Sequence, residues 1–218
     1  MEDNKDYFNP KDFIDDKSSG QLILASFKIL MPDKRNFVEN IICIGIGIIL
    51  GCIIGKSSDT VTLSLKISDI LLNVQTSVFT CIFAIYSILL AFLSDSYIKK
   101  LLSIDYGNGI SYLAESTKYY GDILFVYFVG LITSLIMKIG LSCMPKDFIL
   151  TKNDFVNDIL AVMILSIYFS FSFRVIYELK SMIYNTVILF KTSLVYKIIL
   201  LKKADNKLEE DKNDNADK

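Results

Sequence analysis

From Ile70 to Ser94 the chain carries no charged side chain, and this 25-residue run constrains the fold more than any other feature. As an α-helix it reaches about 38 Å, more than the ~30 Å of a bilayer's hydrocarbon core. A helix apolar over that distance is seldom buried in a water-soluble domain. Three weaker apolar runs accompany it. The expected class is therefore all-α: a polytopic membrane protein, built as a four-transmembrane-helix bundle over residues 37–177, with spans at about 37–55, 70–94, 122–144 and 155–177. Composition agrees, since 52% of the 218 residues are hydrophobic and the mean hydropathy is +0.45, high for a soluble domain.

Short flanking segments complete the plan. Residues 1–36 form an N-terminal segment whose apolar stretch Gln21–Met31 carries Lys28 and is closed by Pro32. Too short to cross, it is expected to lie in the membrane interface. Residues 178–201 place Ile183, Val187, Leu194, Ile198 and Leu201 among Lys191 and Lys197, the pattern of an amphipathic cytoplasmic helix fit for a protein partner. Residues 202–218 are mixed in charge with no apolar pattern and are expected to be disordered.

Lysines orient the chain. Lys28, Lys34 and Arg35 precede the first span, Lys99, Lys100 and Lys118 fill the middle loop, and Lys180, Lys191, Lys197, Lys202 and Lys203 follow the last. The other two loops hold only Lys56 and Lys66, and Lys146 and Lys152. Positive charge stays on the cytoplasmic side, so both termini and the middle loop are expected there, with the protein multi-pass in the cell membrane. The abundance of Lys, Ile and Asn suggests an AT-rich bacterial genome.

Chemistry is sparse. The net charge of −1 offers no field for nucleic acid, and no direct nucleic-acid binding is expected. The chain has no His, the commonest metal ligand and neutral-pH proton shuttle. Gly45, Gly47 and Gly51 imitate a dinucleotide loop, but they lie within an apolar run rather than between a strand and a helix. Cys43, Cys52, Cys81 and Cys143 sit in or beside apolar runs and read as packing residues. Four spans leave about 25 residues for the largest loop, too few for a catalytic domain. The expectation is not an enzyme, with no catalytic, cofactor-binding or metal-ligating residue and no cofactor.

The spans themselves carry polar and small-residue stripes. Gly47, Gly51 and Gly55 recur every four residues and share one face of span 1, a tandem pattern that serves either an oligomer seam or helix packing within one chain. In span 2 a stripe runs through Asn73, Ser77, Thr80, Ala84, Ser87 and Ser94, with Val78, Phe79, Ile82, Phe83 and Ile88 opposite. Small polar residues belong against other helices or water, and bulky apolar ones against lipid. Span 3 repeats the device with Gly130, Ser134, Lys138 and Ser142. Lys138 either snorkels to the surface or pairs with Asp158 near the same end of span 4. Span 4 aligns Ser166, Ser170 and Arg174, with Glu178 one turn on as an i, i+4 partner, and a membrane-boundary anchor is the expected role.

Two functions fit. One is a small integral membrane protein, a homo-oligomer in the lipid bilayer, acting with a partner as a membrane effector or sensor-anchor. Phage defence or superinfection exclusion suits a protein of this type, although no residue specifies it. The other is an oligomeric ion channel or transport subunit, its polar pore lined by spans 2, 3 and 4.

Overall fold

The computed structural model describes residues 18–31, 36–92, 95–103, 105–107, 110–146, 148–149 and 151–216. Helix α1 (Ser19–Ser26) runs into a 3-10 turn, Phe27–Leu30. There follow α2 (Phe37–Gly55), α3 (Thr60–Phe92), α4 (Asp95–Leu102), the short antiparallel strands β1 (Asp105–Gly107) and β2 (Ile110–Ser111), then α5 (Tyr112–Ser142), α6 (Asp154–Tyr177) and α7 (Leu179–Ala216). Among the described residues, four stretches are long and apolar enough to cross a membrane: Phe37–Gly55, Thr60–Ile88, Tyr112–Ser142 and Asp154–Lys202.

Local chemistry sets the ends. Ser18 caps α1 in a capping box, its hydroxyl accepting from the Gln21 N–H while the Gln21 side chain accepts from the Ser18 N–H. The α2–α3 connection is held by the Thr60 hydroxyl, which donates toward the Ile54 and Ser57 carbonyls at 3.0 and 2.6 Å. Pro145 follows the end of α5, and the Asn153 side chain caps α6 by accepting from the Phe155 N–H at 3.1 Å. Two helices start earlier than their apolar runs. α3 opens at Thr60 and takes in Lys66 and Asp69, and α5 opens at Tyr112, because helix propagation needs only compatible residues and not apolar ones. The tail expected to be disordered continues as helix to Ala216. Neither Gly nor Pro follows Pro145 to interrupt it.

The chain folds as two compact units, one gathering Asp16–Ala84 with Tyr119–Ser181, the other built on Ile85–Lys118 with Met182–Lys218. In the first, α2 and α6 pack antiparallel along the glycine stripe. A Cβ on Gly47 would stand 2.5 Å from the Ser170 backbone nitrogen, one on Gly51 2.8 Å from that of Ser166, and one on Gly55 2.8 Å from that of Val162. Only glycine permits so close an approach. Ile54, Leu71, Leu165, Tyr168 and Phe169 form the buried apolar core beside this seam. In the second unit Tyr97 is buried, its hydroxyl donating to the Leu189 carbonyl at 3.2 Å and its ring 5.8 Å from that of Tyr196. Burial first, then the nearby Tyr112, pushes the Tyr97 phenol up to about 12.

Candidate functional site

A buried polar cluster lies where α6 gives way to α7. Arg174, in the last turn of α6, is only 5% exposed, and Glu178, at the break between the helices, 3%. The Arg174 guanidinium divides its donors among three segments. Nη1 donates to Glu178 Oε2 at 2.6 Å, Nε to Asn40 Oδ1 at 2.7 Å, and Nη2 to the Ile29 carbonyl at 3.2 Å. Asn40, near the start of α2, in turn donates to the Asn36 carbonyl at 3.0 Å. Close by, Lys180 Nζ bonds Glu39 Oε1 at 2.6 Å and lies 5.3 Å from the centre of the Tyr177 ring. Phe27 stacks on Phe171 at 6.3 Å, so the turn that offers the Ile29 carbonyl is also held by apolar contact.

This burial is a departure from the sequence reading, in which Arg174 serves as a boundary anchor. A planar fork with five donors suits three acceptors at once, and the cluster removes both charges from solvent. Taking two ions out of water is expensive, and the arrangement holds only while each keeps its partner. The i, i+4 spacing of Arg174 and Glu178 is legible in sequence; Asn40 and the Ile29 carbonyl are not, since they come from chain more than 130 residues away.

A second cluster lies deeper. Ser134 Oγ donates to Gln75 Oε1 at 2.7 Å and accepts from the Tyr168 hydroxyl at 3.2 Å, joining α5, α3 and α6. All three side chains are buried. Along the same pair of antiparallel helices, Lys138 bonds Asp69. Of the two roles open to Lys138, pairing with Asp158 gives way to this bond with Asp69; Asp158 is exposed near the start of α6. The Gln75–Ser134 contact sets the register, and α3, begun early at Thr60, then brings Asp69 level with Lys138.

The stripe of α3 is also corrected. Asn73, Ser77, Thr80 and Ser87 are exposed, while the buried face of the helix holds Ser64, Ser68, Leu71, Gln75 and Ile82. Ile82, expected to face lipid, is fully buried; Phe83 and Ile88 are exposed. The Ser77 and Thr80 hydroxyls donate back to the Asn73 and Thr76 carbonyls at 2.9 and 3.0 Å, which satisfies them without a second helix. Ser94 lies outside the described residues. The stripes of the three spans do not meet on one surface: Ser134 faces Gln75, Ser170 faces α2 beside Gly47, and Arg174 belongs to the α6–α7 cluster. Gln75 is the residue sequence reasoning passed over. It stands two positions from Asn73, and one helix read alone does not say which of two polar faces turns inward.

Among the described residues, no three or more His, Cys, Asp or Glu side chains gather as a metal site. Comparison with protein-family models, with curated proteins and with solved structures finds no match for this chain.

Proposed function

We propose that this chain is a self-associating integral membrane protein of the bacterial cell membrane, acting as an effector or sensor-anchor whose body is coupled through α7 to a cytoplasmic partner. The buried Arg174–Glu178 joint is the observation that carries this reading. Glu178 ends the helix that belongs to the four-span body, and α7 continues from it for 38 residues. Asp154–Lys202, which holds the fourth candidate span, runs 49 residues through α6 and into α7, about 74 Å as helix, more than twice what a bilayer can hold. Its second half therefore serves something besides crossing. Val187, Leu194, Val195 and Ile198 are exposed along it, a surface suited to a protein partner. Displacement of the first turn of α7 pulls on a guanidinium that also holds α2 and the N-terminal turn. A partner bound to α7 thereby acts on the body through a contiguous network.

The lysine distribution supports placing both termini and the middle loop in the cytoplasm, with Tyr97, Tyr119, Tyr120 and Tyr177 at the inner interface. Phage defence or exclusion, by an action on membrane integrity, is the setting that fits this type of protein.

Hydrogen exchange on the reconstituted protein tests the coupling. In Glu178→Gln, faster exchange is expected together in Phe27–Leu30, in the first turns of α2 and in the first turn of α7. Acceleration confined to residues 174–178 would contradict it. A second reading, the oligomeric channel, draws on the exposed polar stripe of α3 alone. Ion flux through proteoliposomes above that of empty liposomes, abolished by Ser77→Leu, would establish it instead.

A further inference from the structure

The interior of the four-span body holds polar atoms that the protein itself does not satisfy. Gln75 Nε2 and Ser172 Oγ have no hydrogen-bond partner among the described residues, and both side chains are 0% exposed. A buried donor left without an acceptor costs the full penalty of losing its water. Both groups are enclosed by protein, so this need does not depend on how deep in the membrane they lie.

The two groups belong to one place. On α3, Gln75 lies across Gly130 and Ser134 of α5. Its Oε1 accepts from Ser134 Oγ at 2.7 Å, and its Cδ stands 3.8 Å from where a Gly130 Cβ would be. On α6, the Tyr168 hydroxyl donates to Ser134 Oγ at 3.2 Å, while Val175 stands 3.2 Å from that same Gly130 position. Ser172 falls between these two contacts, and Tyr168, Ser172 and Val175 share one face of the helix within about 60°. Ser172 is thereby carried to the stretch of α5 over which the Gln75 amide lies. Gly130 contributes no side chain there.

We propose that an internal water molecule is held here between α3, α5 and α6, accepting from Gln75 Nε2 and donating to Ser172 Oγ. This goes beyond the coupling through α7 and beyond self-association, and it depends on neither. The chemistry singles out water. The Gln75 carbonyl oxygen is engaged by Ser134, so the amide offers only N–H, which a cation avoids. An anion has no free positive charge to meet: Lys138, one turn from Ser134, is bonded to Asp69, and Arg174, two residues from Ser172, to Glu178. One neutral molecule that both donates and accepts meets an amide N–H and a hydroxyl together. With it the bonds run from Tyr168 through Ser134 and Gln75 to the water and back to α6 at Ser172. A ring of hydrogen bonds then closes across three helices, each bond polarising the next.

Water-edited solid-state NMR of the full chain in lipid bilayers tests this. The sequence has two glutamines, and Gln21→Glu keeps the capping box of α1 while leaving Gln75 as the sole isotope-labelled glutamine. Magnetisation is expected to pass from water to the Gln75 side-chain amide at short mixing times. Ser172→Val, which puts methyls in place of the hydroxyl, is expected to abolish that transfer. Where Ser172→Val displaces α5, seen as shifted backbone resonances, Ser172→Ala removes the hydroxyl alone, and a weakened transfer is expected. Transfer confined to exposed lysine amides, labelled in the same sample, would overturn the bound water. Transfer to Gln75 that persists undiminished in the Ser172 variants would overturn the bridge to α6.

Discussion

At the scale of single residues, the strongest constraint is the neutralised charge at Arg174. Its three bonds draw on Glu178, Asn40 and the Ile29 carbonyl, and only one of these acceptors carries charge. Glu178→Gln keeps the shape but leaves a buried cation without a counterion, and a loss of about 3–5 kcal/mol is expected in detergent-based unfolding. Replacing both members with apolar residues, Arg174→Met with Glu178→Leu, removes the burden of burying charge, and most of that loss is recovered. Lys138 and Asp69 make the opposite case: with side chains 39% and 47% exposed, their pair contributes about 0–1 kcal/mol. Charged residues were legible in the sequence as residues, and even the Arg174–Glu178 spacing was. Their burial was not, because it depends on which distant segments arrive beside them.

Among elements, the α2–α6 seam is where sequence spacing turned most directly into structure. Gly47, Gly51 and Gly55 declare a face by their four-residue period, and that face meets Ser170, Ser166 and Val162. The period did not say whether the opposing backbone belongs to the same chain, since one helix carries no record of its neighbour. Gly45, on the same helix, has nothing within 4 Å of where a Cβ would stand. Gly51→Ala is therefore expected to destabilise by about 1–3 kcal/mol through forced separation of the helices. Gly45→Ala is expected to be neutral, or to stabilise by about 0.5–1 kcal/mol through helix preference. Equal thermal shifts for the two would contradict the seam. α3 shows the limit of the same method. Its long uncharged run announced a span, yet Asn73 and Gln75 lie on opposite faces, and hydropathy treats them alike.

For the whole molecule, the described residues hold four helices long and apolar enough to cross a membrane, and a C-terminal helix that continues to Ala216. The number of spans was legible because lipid demands length and apolarity that sequence displays directly. The earlier starts of α3 and α5 and the extension of α7 were not, because helix continues past the apolar runs that announce it. Orientation supplies a direct check. Cys143, exposed at the end of α5, belongs to the loop poor in lysine, and labelling by a membrane-impermeant maleimide in intact cells is expected there. A cysteine introduced by Lys118→Cys should be protected, and the reverse pattern would invert the topology. The central claim is that the buried Arg174 joint couples Glu178, at the break before α7, to Asn40 of α2. A double-mutant cycle on detergent-based unfolding, with Asn40→Leu, Glu178→Gln and the two together, tests it most directly. Losses that fail to add, with a coupling of about 0.5–3 kcal/mol, are expected; strictly additive losses would contradict it.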